Sequence, residues 1–238
     1  MPVGAALATN RADRVLFSLA GLWFIALTLL GFSRSFYFRT DPDLLPTHQA
    51  LHGVVFSAWV LLFFVQVLLI STRRVRWHLR LGAAGLVVLL VMIPFGFHVV
   101  LAKTAAGLKS VDEAGFNLAQ LTLGFVLAFS GLALRRRPAV HKRLMLFATL
   151  MFTVAAADRV SSLAGLDEVR LFRKLLAIGP GLALVGYDAW RRPLMLPLSL
   201  GLLALVWLLL WFLVSDLVFM RPIGGAIVRT LTTVFVWY

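Results

Sequence analysis

Seven apolar stretches, each long enough to cross a membrane, follow one another along this chain of 238 residues. A helix of about 20 apolar residues crosses the ~30 Å hydrocarbon layer of a bilayer. Only 14% of the residues are charged, against about 25% in water-soluble domains. The sequence therefore predicts an all-α integral membrane helical bundle with seven transmembrane helices, in a single transmembrane domain over residues 1–238.

The spans are predicted by their apolar composition, with charged or turn-forming segments between them. The sixth span is the weakest, since Arg173 and Lys174 lie near its start. Pro180 interrupts the same span and removes a backbone hydrogen bond, so a kink is expected there. The predicted spans are Val15–Ser33, Leu51–Ile70, Leu81–Ala102, Ala114–Leu134, Leu144–Leu163, Leu171–Trp190 and Leu194–Phe219.

Basic residues indicate the orientation of the spans. The N-terminal segment and the loops after spans 2, 4 and 6 hold 13 of the 23 Lys and Arg residues, in short clusters. The opposite side holds the other 10, mixed with eight of the ten acidic residues. Cytoplasmic loops carry an excess of Lys and Arg. The sequence therefore predicts a cytoplasmic N-terminus, an outside C-terminus, and an interfacial tail over residues 220–238 anchored by Trp237 and Tyr238.

The net charge of +13 does not indicate a nucleic-acid partner, because the charge is confined to short clusters between apolar runs. The expected partner is the lipid bilayer, and the expected location is the bacterial cytoplasmic membrane. Cysteine is absent, which excludes disulfides and thiolate metal sites. A metal would have to be held by histidine, carboxylate or methionine, or carried inside haem.

Three histidines are predicted near the outer boundary of the membrane. His48 and His52 are four residues apart and share one helical face. His98 lies 20 residues after His78 of the inner loop, so span 3 brings it back to the depth of His48 and His52. Imidazole suits zinc, copper and iron, although histidines at helix ends can also bond only to water or headgroups. We interpret the three as candidate metal ligands, with possible support from Asp158, Asn117 and Asp216.

An inner pair of histidines lies among arginines. His78 and His141 each begin the short repeat His-x-Arg-Leu, which also contains Arg80 and Arg143. Nearby positive charge disfavours a bound cation and favours an anion. Either lipid phosphate or a haem propionate would suit these four residues, which makes them candidate cofactor-binding residues.

Two other polar residues are interpreted as structural. Gln66 lies in the middle of span 2 among apolar residues, where an interhelical hydrogen bond is expected. Asp188 precedes Arg191 and Arg192 by three and four residues, a spacing that pairs charges on a helix.

The stretch from His52 through Gln66 to "RWHLRLG" resembles the core hairpin of the YozB-type small bacterial membrane proteins, and "HKRLM" (His141–Met145) resembles a second segment of that family. The likeness covers Thr47–Gly82 and Arg137–Thr149. It implies a helical protein of the bacterial cytoplasmic membrane, in a family sometimes associated with maturation of haem–copper oxidases. His48 and His98 fall outside the family pattern, the order of the segments differs, and this chain has extra spans.

Three functional hypotheses remain open at this stage. The leading one is a membrane protein that binds haem b, or a copper or zinc ion, through histidines of the four-helix region 47–164, and serves respiratory-oxidase maturation or electron transfer. Its expected partner is a terminal oxidase or another respiratory subunit. An alternative is a seven-span zinc hydrolase of a lipid or amide, and another is a scaffold subunit without a cofactor. The sequence leaves open whether the protein is an enzyme.

Overall fold

The structure, a computed structural model, describes residues 11–40, 45–166, 169–215 and 221–235, and these ranges consist of helices joined by short turns, with no β-strand among them. Two shorter helical segments, a π-helical turn at Ser33–Tyr37 and a 3₁₀ turn at Pro193–Met195, follow α1 and precede α7. The helices are α1 (Arg11–Gly31), α2 (Thr47–Ser71), α3 (Val75–Ala105), α4 (Val111–Ala133), α5 (Pro138–Leu163), α6 (Arg170–Arg191), α7 (Leu196–Ser215) and α8 (Arg221–Phe235).

Within the described residues, five helices, α1 to α5, are long and apolar enough to cross a membrane. They correspond to the first five predicted spans. The sixth and seventh predicted spans form α6 and α7, but α6 does not meet that criterion and the apolar part of α7 found within the described residues ends at Leu209. Seven spans and the orientation of the termini stay predictions, and the last part of the seventh span, residues 216–219, lies outside the described ranges.

Helix α5 forms the centre of the bundle. In its most apolar window 72% of the residues are buried, against 17% for α2, so α2 lies at the periphery. Helices α1 and α4 pack directly on α5, α2 and α3 pack on each other and join α1 to α4, and α6 and α7 also contact α5. Helix α8 packs on α3 and α4, so most of the predicted interfacial tail lies against the bundle.

Close backbone contact brings α1 onto α5 near the end of both helices. A Cβ atom at Gly31 would lie 2.5 Å from the carbonyl oxygen of Ala156, so no larger residue fits there without moving a helix. Small residues at such crossings allow membrane helices to approach closely.

Proline in α6 is accommodated by a side chain from α1. Pro180 has no N–H, so the carbonyl of Leu176, four residues earlier, lacks its helical donor. The indole nitrogen of Trp23 donates a hydrogen bond to this carbonyl, at 3.2 Å. An unsatisfied carbonyl costs several kcal/mol in hydrocarbon, and Trp23 removes that cost.

Buried charges join three helices at the end of the bundle that carries the α2–α3 and α4–α5 turns. Arg143 of α5 donates from Nε to Asp188 Oδ2 of α6 at 2.8 Å and from Nη2 to Oδ1. Both side chains are almost fully buried. Asp13 of α1 pairs nearby with Lys142, at 3.1 Å, and with Arg192, at 2.8 Å.

The pairing expected for Asp188 is therefore wrong: its carboxylate binds Arg143 rather than Arg191 or Arg192. A spacing of three or four residues favours ion pairs within one helix. Helix α5, however, places the Arg143 guanidinium where it binds both carboxylate oxygens of Asp188. Arg143 also donates from Nη1 to the carbonyl of Ala139. Its guanidinium is thus occupied by protein groups, which speaks against its expected role in binding an anionic cofactor.

We predict that Asp188→Asn lowers the free energy of unfolding by about 3–5 kcal/mol, because it leaves the buried Arg143 cation without a carboxylate. The measurement is an unfolding titration of the purified protein in detergent. A matched control is Asp158→Asn, whose partly exposed carboxylate pairs with Arg173 at 3.3 Å and should cost about 1 kcal/mol or less.

A double variant separates charge from packing. Arg143→Met combined with Asp188→Leu removes both charges and keeps comparable volume, so it should recover most of the lost stability. A stability of Asp188→Asn equal to that of the control would contradict the role given to this ion pair.

Candidate functional site

A cavity of about 490 Å³ lies at one end of the bundle, where α2 and α4 begin and α1, α3 and α5 end. We call this the outer cavity, after the orientation that the sequence predicts. Its volume falls within the range of roughly 300–1,000 Å³ that is usual for small-molecule sites. The π-helical turn Ser33–Tyr37 forms part of its wall, and such turns are frequent at functional sites.

Positive charge dominates the polar lining of the outer cavity. The described residues of the lining include no aspartate or glutamate. Arg34 is exposed and the other cations are half-buried, and several charges of one sign raise the local concentration of an anion. The five cationic side chains are Arg34, Arg39, Lys103, Lys109 and Arg159.

Arg159 is held in position by two contacts with the π-helical region. Its Nη1 donates to Ser35 Oγ at 3.1 Å, and its guanidinium carbon lies 4.7 Å from the centre of the Phe32 ring. Both contacts orient the guanidinium and leave donors free, because guanidinium carries five N–H groups. Lys103 approaches the same cavity from the last turns of α3.

The rest of the wall is aromatic and aliphatic. Phe56 and Phe152 both line the cavity and their rings meet edge to face, 5.9 Å apart. Trp59 packs against Phe152 at 5.7 Å and is anchored by its hydrogen bond to Thr149 Oγ1. Apolar walls with cations suit an amphiphile: the walls take its apolar body, and the cations take its acidic group.

Two amides contribute polar groups to the lining. Gln120 is buried and donates from Nε2 to the carbonyl of Met151 at 2.6 Å, so its orientation is fixed by α5. Asn117, one of the predicted supporters of a metal site, donates from Nδ2 to the Glu113 carbonyl at 2.5 Å. Both residues line the outer cavity.

His52 is the histidine of the cavity lining. Its ring stacks on Phe56, with centroids 4.2 Å apart, and Nδ1 lies 3.3 Å from the carbonyl oxygen of Phe95. A carbonyl only accepts, so we assign the ring proton to Nδ1, which leaves Nε2 with a free lone pair. Ligating histidines commonly donate their other N–H to a backbone carbonyl in this way.

His48 and His98 are brought together, as the sequence predicts for residues at one level, with ring centroids 5.1 Å apart in an edge-to-face arrangement. His52 does not join them as a third ligand: no group of three or more His, Asp or Glu side chains placed to hold a metal occurs in the described ranges. Of the other two predicted supporters, Asp158 pairs with Arg173, and Asp216 lies outside those ranges.

The inner histidines bond to neighbouring helices. The Gln66 amide is oriented so that both its nitrogen and its oxygen form hydrogen bonds. Its Nε2 donates to the carbonyl of His78, at 3.1 Å, and to His78 Nδ1. Its Oε1 accepts from the Gly82 N–H at 2.9 Å. The His78 proton is then on Nε2. His141 Nδ1 lies 2.8 Å from the Gly131 carbonyl oxygen. Gln66 therefore links α2 to α3, and His141 links α5 to α4.

The cations of the outer cavity were missed by reasoning from the sequence. Lys103 and Arg159 follow the apolar parts of spans 3 and 5, and the count of basic residues treats them only as scattered outer charges. A signal was available: one cation lies near the outer end of span 3 and another near the outer end of span 5, at the level of His52. Their convergence depends on helix rotation, which spacing along the chain does not give.

No family model, curated protein or solved structure matches this chain. The resemblance to the YozB-type proteins thus stays an expectation based on short motifs.

Proposed function

We propose that the protein binds an amphiphilic anion in the outer cavity, with its apolar body on the aromatic wall and its acidic group on the cations. The observation that carries this proposal is the lining itself: it has five cationic side chains, its described residues include no carboxylate, and phenylalanine forms part of its wall. Several charges of one sign around a cavity raise the local concentration of an anion.

Haem b is the ligand we propose for the cavity, in service of respiratory-oxidase maturation or electron transfer in the membrane. His52 would be a ligand of the haem iron through Nε2, because its Nδ1 faces the Phe95 carbonyl. Lys103 and Arg159 would receive the propionates. When bound, haem supplies one-electron redox chemistry. The inner residues Arg143 and His78 are less suited to this role, since Asp188 and Gln66 already engage them.

The zinc-hydrolase alternative has weaker support. Catalytic zinc sites use three protein ligands, and the His48–His98 pair provides two. We therefore keep it only as an outcome of the tests below.

We predict that the detergent-purified protein, reconstituted with hemin, shows a Soret band and sharpened α-bands on reduction with dithionite. His52→Ala should abolish or shift these bands, because it removes the ligating Nε2. His48→Ala is the matched control, one helical turn away on α2, and should keep the wild-type spectrum. A spectrum identical to that of hemin in the same detergent without protein would contradict the haem proposal, and stoichiometric zinc in the purified protein would favour the hydrolase.

The broader proposal has a separate test, the binding of palmitate to the full-length protein in detergent. We predict that Lys103→Gln weakens this binding about tenfold or more, since a hydrogen bond to a charged group contributes roughly 1.5–3 kcal/mol. Arg135→Gln, on an exposed turn at the other end of the bundle, should leave binding unchanged. Equal affinities in wild type and Lys103→Gln would contradict an anion site in the cavity, whatever the haem experiment shows.

A further inference from the structure

A second cationic feature lies at the opposite end of the bundle, in the turn between α2 and α3. Four arginines, Arg73, Arg74, Arg76 and Arg80, fall within eight residues, and all four are exposed. The chain from Leu45 to Val111 contains no acidic residue, and no carboxylate in the described ranges forms an ion pair with any of the four. Their charge is thus available to an external anion.

Arg73 occupies a backbone position that favours glycine. Its φ is +62°, in the left-handed region. The Arg74 N–H bonds to the Leu69 carbonyl at 2.7 Å and the Arg73 N–H to the Ile70 carbonyl at 3.1 Å. This is the Schellman pattern of helix C-termini, in which the left-handed residue is usually glycine. An arginine there costs backbone energy, so its guanidinium points to a role outside folding.

Aromatic and aliphatic side chains beside the arginines place the turn at a membrane surface. Trp77 is 59% exposed and Leu79 is 68% exposed. The Arg80 guanidinium carbon lies 5.4 Å from the centre of the Trp77 ring. Exposed tryptophan is typical of the headgroup level of a bilayer, which is also the level of lipid phosphates. These three arginines and Trp77 line one open depression.

The turn is also held in a fixed geometry. Gln66 on α2 bonds to the backbone of His78 and Gly82 on α3, just beyond the turn. The two helices therefore present the arginines as a preformed set, which reduces the entropy lost when a ligand binds.

We propose that the α2–α3 turn binds the headgroup of an anionic phospholipid, with its phosphate on Arg73, Arg74 and Arg76 and its acyl region beside Trp77 and Leu79. Guanidinium groups match phosphate oxygens in pairs, and basic sites on the cytoplasmic side of membrane proteins bind anionic lipids. A lipid is favoured over a free phosphate because apolar side chains are exposed directly beside the arginines. This site is independent of the outer cavity.

The test compares binding of phosphatidylglycerol and phosphatidylcholine to the full-length protein in detergent by native mass spectrometry. Each Lys or Arg near an anionic lipid is worth about 1 kcal/mol, a factor of roughly five in affinity. Arg73→Gly should therefore weaken phosphatidylglycerol binding about fivefold. Arg74→Gln with Arg76→Gln should weaken it about 25-fold. Phosphatidylcholine should bind weakly to every variant.

A readout of folding separates this role from a structural one. Arg73→Gly should keep or raise the melting temperature, because glycine suits the left-handed backbone, while lipid binding falls. The matched control is Arg135→Gln, Arg136→Gln and Arg137→Gln in the exposed α4–α5 turn, which removes three charges and should keep binding near the wild-type level.

Three results would overturn the proposal. One is wild-type binding of phosphatidylglycerol by Arg73→Gly. Another is an equal loss of binding in the α4–α5 control, which would attribute the effect to overall charge. The third is full competition by inorganic phosphate, which would assign the arginines to a free anion.

Discussion

Hydrocarbon offers no hydrogen-bond partner, so each polar group inside this bundle has to be met by another part of the chain. That constraint explains contacts that otherwise look unrelated. Gln120 donates to a carbonyl of α5, Trp59 to a threonine hydroxyl, and Arg143 closes on Asp188. Each of these contacts joins two helices, whereas other polar side chains, such as Asn117, donate to a carbonyl of their own helix. The interhelical bonds thus add specific links between helices whose packing is otherwise apolar.

The two ends of the bundle use positive charge in opposite ways. At the end with the α2–α3 turn, arginines point away from the helices and lie beside exposed Trp77. At the other end, Lys103 and Arg159 line an internal cavity. A count of the basic residues on each side predicts the orientation of the helices in the membrane. It does not distinguish exposed cations from cations that line a cavity. The difference lies in burial, and burial is set by how α3 and α5 are rotated about their axes.

The helical class and the first five apolar helices could be predicted from the sequence, because the length of an apolar stretch can be compared with the thickness of a bilayer. The meeting of His48 and His98 could also be predicted, since counting residues along two helices gives their depth. The partner of Asp188 could not, because spacing along one helix does not say which neighbouring helix supplies a competing cation. The separate setting of His52 depends on the stacking with Phe56 and the carbonyl of Phe95, and neither contact has a signature in the sequence.

The hydrogen bond from Trp23 to Leu176 also affects how the bundle can move. Proline kinks in membrane helices commonly serve as hinges, because the missing hydrogen bond lets the two halves of the helix bend. In α6 the carbonyl released by Pro180 is held by an indole on α1. Bending or straightening α6 at this point would strain or break that bond. Helices α1 and α6 are therefore linked at the kink, and bending of α6 at Pro180 costs a contact with α1 as well as a rearrangement within α6.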